Sequence, residues 1–320
     1  MKVIEKVSGF AGKTFTFWVI IVAVLAYMFP GNFKWIGGYV VPLLGIVMFG
    51  MGLTLSASDF KEVFRRPKEV ALGVVGHFII MPVLAFLLAV GLHLPKEVAV
   101  GVILVGCCPS GTSSNVMVFL GKGNVALAVS IASVSTILAP ILTPLLILLF
   151  ASKWVHVSVG SLFLSIVQVI IVPLCLGFII KKFFGRQAQA GTKAMPLVSV
   201  IAIVMIVSGV VAGSQAQIAK TGLLIFAVVV LHNVLGYCLG FFFSRLCGMD
   251  LAKQKAVAME VGMQNSGLGV AIASASFSPL AAVPSAIFSV WHNISGSILA
   301  FIFSKMEDKK TEEEVKKIAG

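Results

Sequence analysis

The chain is expected to be an all-α polytopic membrane protein of ten transmembrane helices, two of them interrupted. Three observations predict this. It is 59% hydrophobic and 11% charged over 320 residues, more apolar side chain than a soluble domain of that size can hide. The apolar residues come in long unbroken runs without period-two alternation, so helices are expected and barrel strands are not. The basic residues fall in loops and tails and crowd one side of the spans that these runs define. The formal charge of +12 is therefore a topology signal, and no nucleic-acid partner is expected.

A span needs roughly 20 apolar residues. The first, 14–30, follows a polar start from Met1 to Lys13, and no small-residue cleavage site follows it, so it is read as a retained helix and not as a signal peptide. Helices 2 and 3 are 38–56 and 69–92. Helix 4, 97–120, is apolar but interrupted. Helices 5 to 8 are 124–151, 156–180, 195–215 and 221–246. Helix 9, 251–277, is interrupted again, and helix 10 is 279–304. Pro30, Pro42, Pro82, Pro140, Pro144 and Pro173 mark kinks or helix ends.

Ten spans put both termini on one side. Of the 24 Lys and Arg residues, only Lys34, Lys96, Lys153 and Lys220 fall on the other. The positive-inside rule then makes both termini cytoplasmic in a cell (inner or plasma) membrane. Residues 305–320 are a mixed-charge, solvated cytoplasmic tail. The five cysteines lie in or beside apolar segments without CxxC spacing, so no disulfide framework is expected.

The two interruptions carry the chemistry. Helix 4 breaks over Gly106-Cys107-Cys108-Pro109-Ser110-Gly111-Thr112-Ser113-Ser114-Asn115, and helix 9 over Gly262-Met263-Gln264-Asn265-Ser266-Gly267. Each is the fourth helix of a five-helix half, and paired breaks at matching places point to a transporter's binding site. Five is odd, so the second half enters the membrane inverted relative to the first. Glu260 is the one acidic side chain that has to sit inside a span. Burying it costs on the order of 2.5–3.5 kcal/mol on insertion scales, which marks it as a functional group whose partner is a cation. Unwound carbonyls and half-helix C-termini attract Na⁺, and half-helix N-termini suit an anion. No Lys or Arg falls in the apolar middle of a span, so dipoles and amides must hold an anionic substrate. Cation-coupled transport follows from these residues alone. An enzyme is disfavoured: there is no HExxH, no Gly-x-Ser-x-Gly and no second intramembrane acid. A sensor would need an output domain, and the short tail offers none.

Three stretches resemble the bile acid:sodium symporter family. They are Glu260-Val261-Gly262-Met263-Gln264-Asn265-Ser266-Gly267-Leu268 in helix 9, Pro109-x-Gly111-x-x-Ser114-Asn115-Val116-Met117 in helix 4, and Phe288-Ser289-Val290-Trp291-His292-Asn293-x-Ser295-Gly296 in helix 10. The resemblance runs the length of the chain. It implies one transporter domain over 1–320, a five-plus-five inverted repeat with helices 4 and 9 broken and crossing. Helices 1, 2, 6 and 7 (14–56 and 156–215) would form a panel, and helices 3–5 and 8–10 (69–151 and 221–304) a core. A first sodium site is implied at Ser114, Asn115 and Glu260. Two helix-5 hydroxyls that would complete it are replaced here by Ala128 and Ala132. Ser130 lies about 200° around the helix from Ala128 and cannot substitute. A second site is implied at Glu260, Gln264, the Val261 and Met263 carbonyls and His77. Substrate contacts are implied at Thr112, Ser113, Asn265, His292 and Asn293.

The expected activity is sodium-coupled import of an organic anion (bile-acid-like, pantoate-like or a 2-keto carboxylate) by alternating access, with Na⁺, the anion and the lipid bilayer as partners and no obligatory protein partner. A proton-coupled or single-Na⁺ carrier is the alternative. The vicinal thiols Cys107 and Cys108 keep an arsenite-type metalloid carrier open as another.

Overall fold

A computed structural model describes residues 14–55, 63–111 and 113–306. Thr112 and the tail beyond Met306 lie outside the described residues, as does the segment Met1 to Lys13. The described chain is helical throughout. Helix α1 is Phe15–Met28 and α2 Val40–Thr54, with short 3₁₀ turns between them. Helix α3 is Pro67–Gly91, α4 Lys96–Gly106, α5 Ser114–Leu120 and α6 Val125–Ala151. Helices α7 (Val159–Ile166) and α8 (Val172–Phe183) are joined by a π-helical turn, Val167–Ile171. Then come α9 (Gly185–Gly213), α10 (Gln215–Leu246), α11 (Leu251–Gly262), α12 (Ser266–Ser276) and α13 (Pro279–Lys305).

Six of these segments are long and apolar enough to cross a membrane: Pro30–Thr54, Pro67–Gly91, Val125–Ala151, Val159–Phe183, Gln215–Leu246 and Pro279–Lys305. Shorter apolar helices, Phe17–Met28, Leu197–Gly213 and Ser266–Ser276, add to them among the described residues. The chain is thus a multi-helix membrane protein. Helix α9 begins ten residues before the expected 195, and α10 begins six before the expected 221. Polar residues make helical hydrogen bonds as well as apolar ones do, so a turn that leaves the apolar zone is invisible to hydropathy.

Local signals explain several boundaries. Asn124, Asp250, Asn265 and Ser278 cap α6, α11, α12 and α13 by accepting from the N–H three residues on. Proline opens α3 and α13, where its missing N–H leaves no gap. Pro173 cannot donate to the Val169 carbonyl, and the chain widens into the π turn immediately before it.

Contacts between elements define the two ends of the bundle. At one end, the Asn124 N–H donates to the Ala252 carbonyl at 2.9 Å. There too Lys253 pairs with Glu69 at 2.9 Å, and Lys255 Nζ donates to the Met306 carbonyl at 2.9 Å. At the other, Ser214 Oγ donates to the Pro279 carbonyl at 3.0 Å and Gln215 Nε2 to the Tyr27 carbonyl at 3.1 Å. Helix α2 packs on α8 and α9, while α10 packs on α3, α11 and α13.

The α2–α8 contact rests on two reciprocal glycines. A Cβ on Gly52 would run into the Leu174 carbonyl, and one on Gly177 into the Phe49 carbonyl. Backbones this close gain dispersion that bulkier residues would forbid. Gly177→Leu is therefore expected to destabilise the protein by at least ~1–3 kcal/mol. Thermal unfolding of purified protein in detergent checks this, and an unchanged melting temperature would mean that the two helices do not meet as described.

Candidate functional site

The two interruptions meet near the middle of the bundle. Between α4 and α5, and between α11 and α12, the helix opens and the two open stretches pair. The Gly111 N–H donates to the Met263 carbonyl at 2.9 Å and the Asn265 N–H to the Pro109 carbonyl at 2.8 Å. They form a single antiparallel bridge between Ser110 and Gln264. Pro109 brings a carbonyl and no donor, so nothing of its own is left unpaired. Gly111 has to be small: a Cβ there would lie 2.7 Å from the Gln264 carbonyl oxygen.

Breaking a helix at this depth frees carbonyls that neither water nor lipid can satisfy. Side chains from neighbouring helices take them. Thr143 Oγ1 on α6 donates to the Cys107 carbonyl at 2.8 Å. Asn233 Nδ2 on α10 donates to the Gly262 carbonyl at 2.8 Å, and Gln264 Nε2 to that of Val261 at 2.9 Å. His77 on α3 touches both breaks, with Nε2 2.9 Å from the Cys108 carbonyl oxygen and Nδ1 2.9 Å from that of Glu260. Asn233 is fixed in turn, since its Oδ1 accepts from Ser295 Oγ at 2.6 Å.

Glu260 lies wholly buried on the last turn of α11. Its Oε1 accepts from Ser114 Oγ and its Oε2 from Ser110 Oγ, each at 2.5 Å. Both donors come from the other break. Two further oxygens at the crossing, Asn115 Oδ1 and Gln264 Oε1, are buried acceptors with no hydrogen-bond donor. The carboxylate and the two unmatched amide oxygens are all hard, electron-rich ligands. That is a donor set for an alkali or alkaline-earth cation and not for a soft metal.

Beside the crossing is a cavity of about 240 Å³. Its polar wall includes Ser113, Gln264, Asn265, His292 and Asn293, and its apolar wall includes Leu44, Val47, Met48 and Ile203. Asn265 Nδ2 and His292 Nδ1 are buried without partners. Asn265 Oδ1 caps α12, which leaves its amide donor for another group.

Of the residues singled out from sequence, Glu260, Val261, Met263, Gln264, Ser114, Asn115 and His77 gather at the crossing. Ser113, Asn265, His292 and Asn293 line the cavity. Thr112 lies outside the described residues. His77 reaches both breaks from helix 3, but both ring nitrogens face carbonyl oxygens, and a neutral ring donates to only one of them. Ala128 and Ala132 are buried and bring no side-chain oxygen. Ser130 Oγ turns to its own helix, bonding the Ala126 carbonyl at 2.9 Å. Cys107 and Cys108 are fully buried and line neither this cavity nor the other described ones.

Sequence reasoning gave no role to Ser110, Thr143 or Asn233. Ser110 stood in the helix-4 break, and Asn233 lies in the apolar run of helix 8. The usable signal was a polar residue at bilayer depth, which needs a partner.

The sequence model of the Sodium Bile acid symporter family matches residues 41–221. The chain is 60% identical over 310 residues to an uncharacterized sodium-dependent transporter, YocS, of Bacillus subtilis (strain 168), covering 97% of each chain. It is 35% identical over 312 residues to a probable chloroplastic sodium/metabolite cotransporter, BASS1, of Arabidopsis thaliana, covering 97% of this chain and 78% of the relative. The corresponding BASS1 of Oryza sativa subsp. japonica is 37% identical over 295 residues, covering 91% and 72%.

Ser110→Ala removes one of the two hydroxyls on Glu260 and leaves a buried carboxylate oxygen without a donor. The expected loss is ~1–3 kcal/mol of stability in sodium-free buffer. It is read as a lower thermal midpoint by intrinsic fluorescence, and no change would show that Ser110 does not support Glu260.

Proposed function

The chain belongs to the sodium bile acid symporter family, and we propose that it couples sodium entry to the uptake of a small organic anion by alternating access. The observation that carries this reading is Glu260. A buried carboxylate sits among oxygen acceptors, two of them without donors, and among the described residues no ammonium or guanidinium is bonded to it. A bound cation removes both problems at once, because it neutralises the charge and satisfies the amide oxygens. The similar proteins are named as sodium-dependent transporters or sodium/metabolite cotransporters, and none of those described is named as an enzyme.

In this reading Na⁺ is held by Glu260, Gln264 and the carbonyls of Val261 and Met263. His77 belongs to the set through the carbonyls it orients. Ser114 and Asn115 form the start of a second place for Na⁺. The substrate lies in the cavity against Ser113, Asn265, His292 and Asn293, with Thr112 assigned to the same group. Its anionic end meets the N-terminus of α12, where the helix dipole is positive and the Asn265 Nδ2 donor has no partner. Its apolar body meets Leu44, Val47, Met48 and Ile203. Helices α1, α2 and α7–α9 then act as a panel that rocks against a core of α3–α6 and α10–α13. The chain makes ten passes as a five-plus-five inverted repeat with both termini in the cytoplasm of a cell whose plasma membrane it spans.

A single-Na⁺ mechanism has its own support. Ala128 and Ala132 add no oxygen beside Ser114 and Asn115, and both Glu260 oxygens are already met by serine hydroxyls. One ion at Gln264 would then do the coupling. A proton on Glu260 is the remaining alternative.

The test is Na⁺-dependent thermal stabilisation of purified protein, with K⁺ and Li⁺ controls. At a Na⁺ concentration about a hundredfold above Kd the expected stabilisation is ~2.7 kcal/mol. Glu260→Gln, which keeps the shape and loses the charge, is expected to remain folded and to lose that response. A variant that still responds to Na⁺ like the parent would refute the assignment of Glu260. The slope of the response separates the readings: above one for two coupled ions, one for a single ion. No Na⁺ response together with a strong pH response would mean proton coupling.

A further inference from the structure

A second cavity, about 370 Å³ in volume, lies on the other side of α5 from the first, and the two share no lining residue. It is lined by Met51 and Thr54 of α2, Asn115 of α5, and Val129, Ala132 and Ser133 of α6, together with Leu55. Helices α2 and α6 contribute here their halves toward the end of the bundle that carries Glu69, Ala252 and Met306, and α5 contributes the first turn of its helix beside the break. Three features set it apart from a packing defect. Its wall carries polar groups from all three helices: Thr54, Asn115 and Ser133. One of them, Asn115 Oδ1, is among the buried acceptors without a donor. The residue before Asn115 is Ser114, whose hydroxyl lies 2.5 Å from Glu260. The cavity therefore ends one residue from the carboxylate.

Size and chemistry then narrow what it takes. It has room for several waters, and so for a monovalent cation with its first hydration shell. The apolar surface that an organic anion's body needs lies in the other cavity. Ala132 leaves the room, because a larger side chain at that position would fill the wall beside Asn115. The α2 wall is held in place from outside: Lys181 Nζ donates to the carbonyls of Thr54 at 3.0 Å and Leu55 at 2.6 Å.

We propose that this second cavity is a hydrated cation vestibule. Through it Na⁺ reaches Asn115 and Glu260 without entering the substrate cavity, and Asn115 Oδ1 is the first protein oxygen that replaces a water. This rests on the sodium-coupled reading of Glu260 and adds a route that the reading does not require. Ion and substrate then arrive by separate paths and meet only at the crossing. Neither blocks the other's exit.

The experiment is cysteine accessibility in the full chain, with Cys175, Cys238 and Cys247 changed to serine. Ser133→Cys reports on the vestibule and Val47→Cys on the substrate cavity. Val129→Cys serves in place of Ser133→Cys if the latter lowers the thermal midpoint. Each is reacted with a small trimethylammonium methanethiosulfonate in K⁺ and in Na⁺ of equal ionic strength. The expected result is that the vestibule thiol of Ser133→Cys reacts, and that Na⁺ tenfold above Kd slows it about tenfold, while the thiol of Val47→Cys is unaffected by Na⁺. No reaction in the Ser133→Cys variant would overturn the vestibule. So would protection in the Val47→Cys variant alone, or equal protection in both variants, which would signal a general conformational change. In each of those cases sodium-induced thermal stabilisation persists. Loss of that stabilisation in the parent protein would instead refute the coupling reading itself.

Discussion

Backbone polar groups cannot be left open inside a membrane, and the pairing of two broken helices is how this protein meets that constraint. Each break frees N–H and C=O groups inside a span, where lipid offers them no partner. Placing the breaks against each other lets Pro109 and Gly111 satisfy Asn265 and Met263, and the reverse. Everything else at the crossing follows from that pairing. His77, Thr143 and Asn233 reach in from three other helices because carbonyls remain that the pairing does not use. Gly111 is small because the two backbones touch.

The same arrangement gathers the charge. Glu260 is carried by one broken segment, and both its hydrogen-bond donors by the other. A change in the relation of the two segments therefore changes the surroundings of the carboxylate directly. The cavity beside the crossing is walled by residues of both breaks and by apolar side chains of α2 and α9. In the proposed reading, a cation at the carboxylate and an anion in that cavity are held by the same few residues of backbone, and this is what couples one to the other.

The breaks, their matching positions and the buried acid were legible in the sequence, because each violates the otherwise continuous apolar pattern. The helix N-caps at Asn124, Asp250, Asn265 and Ser278 carry equally local signals. The polar first turns of α9 and α10 were not seen, since hydropathy registers lipid contact and not helical hydrogen bonding. Ser110 was visible as a residue but not as a donor to Glu260. Its hydroxyl acquires that partner only when segments 150 residues apart in the chain meet. His77 was named from sequence only through the family resemblance, as a sodium ligand. That both its nitrogens would face carbonyls depends on the rotation of α3, which pattern alone does not fix.

The order of residues was enough to determine the solvent and the helical class, and it pointed to one buried acid. Long apolar runs need lipid, and an acid inside one of them needs a cation. It also set the family, through three motifs spread along the chain. Packing in three dimensions decided which hydroxyls meet Glu260, which amide oxygens are left over, and that two cavities rather than one approach the crossing. Those outcomes depend on distances of a few ångströms between residues far apart in the chain, and no local pattern encodes such distances.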